Sequence, residues 1–148
     1  ILIIRSYAPQ NSQIIKNNRS LKIAIIELNL NTEVTMPSLR EQQSKFARMV
    51  ADLIIKAYEL GYEVTLGDAF RDPTLHGEIK KKKGYGAAKS FHKKRLAIDL
   101  NLFKDGKYLG STEDHRQLGE WWESKGGSWG GRWAGARADG NHYSLGEN

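Results

Sequence analysis

The sequence predicts a small single-domain α+β fold, a central antiparallel sheet with flanking helices that carries a cluster of histidines and carboxylates. Three observations lead there. An amphipathic stretch from Ser38 to Gly61 has helical spacing. Short runs at Tyr62–Leu66, Leu96–Leu102 and Tyr108-Leu109 read as strands, the last two joined by an Asp105-Gly106 pair suited to a tight hairpin. His92, Asp99, Asp139 and His142 all fall on or beside the predicted strands of the second half.

Composition narrows the class. At 148 residues the chain suits one compact domain, and 27% charged with 39% hydrophobic residues is ordinary for a globular protein. There is no cysteine, so disulfides, thiolate nucleophiles and Cys-based metal sites are excluded, and any metal must use His, Asp or Glu. A net charge of +6 and a pI near 9.5 favour an anionic partner, whether nucleic acid, an acidic membrane surface or a cell-wall polymer, without choosing among them. No apolar run is long enough to span a bilayer, and Ile1–Ile4 followed by Arg5 is too short for a signal peptide. The expectation is therefore cytoplasmic synthesis without a signal peptide and no transmembrane segment.

Residues 1–35 carry β-prone runs at Ile1–Ile4 and Ile23–Ile26 among asparagines, with no helical period. They read as an N-terminal extension, a hairpin or a loose arm, ahead of a domain over 36–148. In that domain Ser38-x-x-Glu41 has the spacing of a capping box that starts a helix. Phe46, Met49, Val50, Leu53, Ile54, Ala57 and Tyr58 form its apolar stripe, and Gly61 stops it. A strand at Tyr62–Leu66 leads to a loop through Phe70-Arg71-Asp72-Pro73. Lys80–Lys83 with Gly84-Tyr85-Gly86 reads either as a solvated loop or as a flap guiding substrate, and charge runs usually face solvent.

From Leu96 to Leu102 four aliphatic residues alternate with Ala97, Asp99 and Asn101, so a strand here turns Asp99 away from the core. Ser111 or Thr112 is placed to cap a helix in which Leu118, Trp121 and Trp122 pack, ended by Gly126-Gly127. Ala138–Leu145 reads as a loop entering a last strand, with His142 and Ser144 on one face. His115 is expected on the solvated side of its helix and His76 at a loop rim.

His92, before the strand that holds Asp99, and His142, on a neighbouring strand, are placed to converge. Two imidazoles and a carboxylate suit zinc and leave one coordination position for water. Asp139, three residues before His142, is placed to take that water's proton and hand it to a leaving amine. Spacing alone leaves a metal-free arrangement open. A nucleic-acid-binding module is the competing class, suggested by Lys80–Lys83, His92–Arg95 and the tryptophans. Against it, no helix-turn-helix, zinc-finger or RNP pattern appears, and Asn141-His142 lacks the paired His or Asp-His segment upstream that an HNH nuclease would need.

Ser90-x-His92 running on to Ala97-Ile98-Asp99, with the later Asp139-x-x-His142, resembles the M15 zinc peptidases. These include D-alanyl-D-alanine carboxypeptidases and dipeptidases and the L-alanyl-D-glutamate endopeptidases of phage lysins. The aromatic, glycine-rich Trp129–Trp133 segment is most similar to the phage lysin branch, and the resemblance spans about residues 36–146. It implies an M15, hedgehog-like fold in which His92, Asp99 and His142 hold one zinc ion. Asp139 would be the general base. Arg71 would bind a substrate carboxylate or the developing oxyanion, and Ser90, Trp129 and Trp133 would contact substrate. The partner implied is the peptidoglycan stem peptide, cut by a monomer that needs no nucleic acid and reaches the wall from the host cytoplasm. Arg95 stands where many members carry Gly, and Asp139 where some carry Glu.

Overall fold

The capping box forms as the sequence requires, and the long first helix grows from it. The structure is a computed structural model that describes residues 36–146, so the expected extension over 1–35 lies outside the described residues. Helix α1 (Leu39–Glu59) begins where Glu41 accepts the Ser38 amide at 2.8 Å and the Ser38 hydroxyl accepts the Glu41 amide at 3.3 Å. It buries Phe46, Leu53 and Ala57. At its end Tyr62 donates its amide to Ala57, past Gly61 at φ 81°, and the chain turns into strand β1 (Glu63–Leu66).

Strand β2 (Ala97–Lys104) is the centre of an antiparallel sheet. One edge pairs with β1, Leu66 opposite Leu100. Strand β3 (Lys107–Leu109) returns from the Asp105-Gly106 turn to pair with residues 102–104, and strand β5 (His142–Ser144) pairs with residues 97–99. Short strand β4 (Ser128–Trp129) flanks β5. Leu96, Ile98, Leu100 and Leu102 face inward against α1 and helix α3 (Arg116–Ser124), as alternation requires, and Asp99 faces the other way. From Pro37 onward the chain is one compact unit.

Tryptophans lock the second half together. Trp122 packs edge-on against Phe46 and donates its indole proton to Ser144 at 2.9 Å, so α3 is tied both to α1 and to β5. Trp129 lies in the core, 3% exposed, and donates to the Gly140 carbonyl at 2.7 Å. Its ring lies against Gly119, where a Cβ would come within 2.2 Å. Gly119→Ala gains about 1 kcal/mol of helix propensity but overpacks this contact at a cost of up to ~3 kcal/mol. The net expectation is a lower urea midpoint for the variant, measured by tryptophan fluorescence.

Two histidines depart from expectation. His115 is buried, 1% exposed: helix α3 starts only at Arg116, and His115 stands just ahead of it with its side chain turned away from the helix end. Its Nδ1 meets the Tyr143 hydroxyl at 2.9 Å and its Nε2 the Leu109 carbonyl at 3.2 Å, tying β5 to β3. Burial pushes its pKa below that of an ordinary histidine. The Ser111 capping interaction forms one turn earlier, with Asp114. His76 is also buried, at the end of the short helix α2 (Pro73–His76), under the Tyr85 ring at 4.6 Å.

Candidate active site

Asp99 is placed by a close backbone fit. Its amide donates to Asp68 at 2.9 Å and its carbonyl accepts from Gly67 at 2.8 Å, extending the β1 pairing past the end of the strand. Across the sheet Asp99 stands opposite His142 in register. His92 arrives from the 3₁₀ turn Phe91–Lys94, which Arg95 closes in the left-handed region at φ 55°, ψ 42°. That conformation favours glycine. Here Arg95 adopts it with its guanidinium stacked 3.9 Å from the Phe70 ring centre.

The three side chains converge. His142 Nδ1 lies 3.0 Å from Asp99 Oδ1, His92 Nε2 lies 3.2 Å from the same oxygen, and the two nitrogens are 3.1 Å apart. Each imidazole nitrogen carries at most one proton, so three mutual contacts of this length cannot all be good hydrogen bonds. Donors held about 2.0–2.1 Å from a tetrahedral zinc stand ~3.3 Å from one another. The triangle therefore has the size and the donor set of three ligands around one metal ion. The His92 and His142 side chains are 1% and 4% exposed and that of Asp99 14%, so the cluster is reached from the Asp99 side. His92 Nδ1, on the far side of its ring, is buried without a hydrogen-bond partner.

Burial works to raise the Asp99 pKa, but hydrogen bonds from His142 and His92, with their charges, outweigh it and bring the carboxyl to about 2. Asp139 behaves oppositely. Burial, followed by the negative charge of Asp99, pushes its pKa above the ordinary carboxylate value. One acid held ionised and another made more basic is the division of labour expected of a ligand and a base. Asp139 is fixed by its own backbone: its amide donates to Gly130 at 3.0 Å and its carbonyl accepts from His142 at 3.3 Å. Gly130 permits that approach, because a Cβ there would come within 2.5 Å of the Asp139 carbonyl oxygen.

A cavity of about 610 Å³ opens beside this cluster, lined among others by Arg71, Ser90, Trp133, Asp139 and His142. Arg71 donates to Asp68 at 3.1 Å and to the Ser90 hydroxyl at 3.3 Å, with its guanidinium 5.1 Å from the Tyr85 ring centre. Trp133 lies over His142, ring centres 4.9 Å apart. Of the residues singled out from the sequence, the structure brings His92, Asp99, His142, Asp139, Arg71, Ser90 and Trp133 to one site. Trp129 lies instead in the core, 3% exposed, and is not among the residues that line the cavity. Sequence reasoning missed Lys89 and Arg137 on the cavity wall, and Asp68, which orients Arg71. Only the Asp68-x-x-Arg71 spacing offered a signal.

Sheet, cluster and cavity together define a small α+β domain with a candidate metal centre. Residues 83–145 match the sequence model of an M15 peptidase family described as D-alanyl-D-alanine carboxypeptidase. The fold is similar to that of the L-Ala D-Glu endopeptidase ChiX from Serratia marcescens, with a TM-score of 0.52 and 16% identity over 79% of this chain and 95% of that one. No curated protein matches the sequence. Among the described residues no helix is long and apolar enough to cross a membrane.

Proposed function

We propose that the protein is a zinc-dependent peptidase that hydrolyses a peptide bond in the peptidoglycan stem peptide, as an L-Ala-D-Glu endopeptidase of the phage lysin type. The observation that carries the reading is the His92–Asp99–His142 triangle opening onto a cavity that also holds Asp139. The endopeptidase specificity is supported by the fold similarity to ChiX, and the lysin assignment by the aromatic Trp129–Trp133 segment. The family description favours a second reading, cleavage of D-Ala-D-Ala by a carboxypeptidase.

His92, Asp99 and His142 would hold one zinc ion, which when bound supplies a Lewis acid for the scissile carbonyl and makes a water more acidic. The chain's own groups do the remainder. Asp139 accepts the water's proton and delivers it to the leaving amine nitrogen, and its raised pKa makes it a better base than an ordinary aspartate. Arg71, held by Asp68 and Ser90, presents its guanidinium to a substrate carboxylate or the developing oxyanion. Trp133 covers one face of His142 and limits water on that side.

A base must be ionised to work, so activity falls as pH drops through the Asp139 pKa. Because that pKa is raised, the acid limb of kcat/KM is expected above the ordinary carboxylate range near 3.9, and Asp139→Glu should move it. The bond is identified by offering two soluble stem peptides, one with a capped C-terminus that leaves only L-Ala-D-Glu, and one ending in free D-Ala-D-Ala. Cleavage of the first is expected. Cleavage of the second alone would establish the carboxypeptidase reading instead.

A further inference from the structure

The charge of this protein is concentrated in one place. Residues 77–95 hold seven lysines and one arginine against a single glutamate, which exceeds the +6 of the whole chain and leaves the remainder close to neutral. Lys80 to Lys83 and Lys89 are exposed. A loose basic loop would be unremarkable, since charge runs are usually solvated. This one is built to hold its shape.

Its backbone closes as a tight hairpin: Lys83 bridges Gly86, and the Lys80 amide donates to the Ala88 carbonyl at 2.8 Å. Lys93, 7% exposed, pins the hairpin from beneath by donating Nζ to the carbonyls of Lys81 at 2.6 Å and Glu78 at 3.3 Å. Burying an ammonium is unfavourable unless its protons are used, and here they orient two carbonyls of the hairpin inward. Lys83 Nζ bonds the Thr74 carbonyl, and the Tyr85 hydroxyl donates to Asp68 at 3.3 Å. The same segment then runs into the cavity wall through Ala87, Lys89 and Ser90.

We infer that this hairpin is a docking surface for polymeric peptidoglycan, whose repeated stem-peptide carboxylates the lysines engage while one stem peptide enters the cavity beside them. The inference rests on the proposed function for the identity of the polymer. Charge complementarity and continuity with the cavity carry it: a run of exposed lysines on a closed hairpin that leads to the site mouth matches an anionic chain longer than the segment being cut. Nucleic acid fits less well. The hairpin carries a single aromatic ring, Tyr85, which is 69% exposed but already contacts His76 and Arg71, so it offers one partly engaged stacking position where a strand of bases needs several.

The test compares the whole protein with a Lys80→Asn, Lys81→Gln, Lys82→Gln variant. None of these side chains enters the cavity, and asparagine suits the positive φ of 71° at Lys80. Co-sedimentation is measured with insoluble peptidoglycan stripped of attached phosphate polymers, and kcat/KM is measured on a short soluble stem peptide. The wild type should sediment at low salt and release as salt rises, the variant should bind roughly tenfold or more weakly, and both should cleave the short peptide alike. Equal sedimentation of the two proteins would overturn the docking surface. So would binding confined to walls that keep their phosphate polymers, or tighter binding to DNA. If neither protein cleaves any short peptide, the proposed function fails, and the sedimentation result still decides whether the lysines bind the polymer.

Discussion

Replacing Asp99 with asparagine is expected to weaken zinc binding by at least about a hundredfold and to abolish hydrolysis, with the fold retained. The substitution keeps the side chain's shape but removes the charge that both His92 Nε2 and His142 Nδ1 face at 3.2 and 3.0 Å. It removes one ligand oxygen's negative charge from a cluster that, among the described residues, has no other anionic donor at those distances. His92→Ala should have the same effect on metal, but its side chain is fully buried and the variant also opens a cavity, so Asp99→Asn is the cleaner comparison. Zinc content after dialysis and a competition titration with a chromogenic chelator measure the affinity, and circular dichroism checks the fold. An Asp99→Asn protein that held zinc as tightly as the wild type would remove Asp99 from the ligand set.

Asp139→Asn should separate metal binding from turnover. The amide cannot accept the proton, so kcat should fall by roughly 10²–10⁴-fold while zinc content stays at the wild-type level. The expectation follows from position: Asp139 lines the cavity with Arg71 and His142, lies outside the convergent triangle, and has a pKa raised by burial and by Asp99. The acid limb attributed to this carboxyl should also disappear from the residual activity. Full activity in the variant would assign the base to another group.

These two expectations draw on residues that were legible for different reasons. Local rules read α1 well, because the Ser38-Glu41 box and the stripe through Leu53 need no distant partner. Alternation along β2 was enough to turn Asp99 from the core, because a strand's side chains change face at every residue. Convergence of His92 with His142 depends on β5 pairing beside β2, a contact 43 residues long in the case of Asp99 and His142, and motif resemblance supplied what spacing could not.

The misreadings share a cause. The charged neighbours Glu113, Asp114 and Arg116 point to a solvated helical face for His115. The structure begins the helix at Arg116 and puts the ring against Tyr143 on a strand that arrives only later in the chain. Trp129 looked like a substrate contact among glycines, yet Gly119 on α3 leaves the space that admits its ring to the core. His76 was sealed by Tyr85 from the lysine hairpin. Lys89 and Arg137 reach the cavity through loop paths that no periodic pattern encodes.

The central claim is that the His92–Asp99–His142 cluster holds the metal of a wall-cutting peptidase. It is tested most directly by mass spectrometry of purified peptidoglycan digested with the metal-loaded protein, the chelator-treated protein and the Asp99→Asn variant. The expected result is new L-Ala carboxyl and D-Glu amino termini from the loaded enzyme only, restored to the chelated protein by added zinc. Wall peptides released equally in all three digests, or no new termini in any of them, would contradict it.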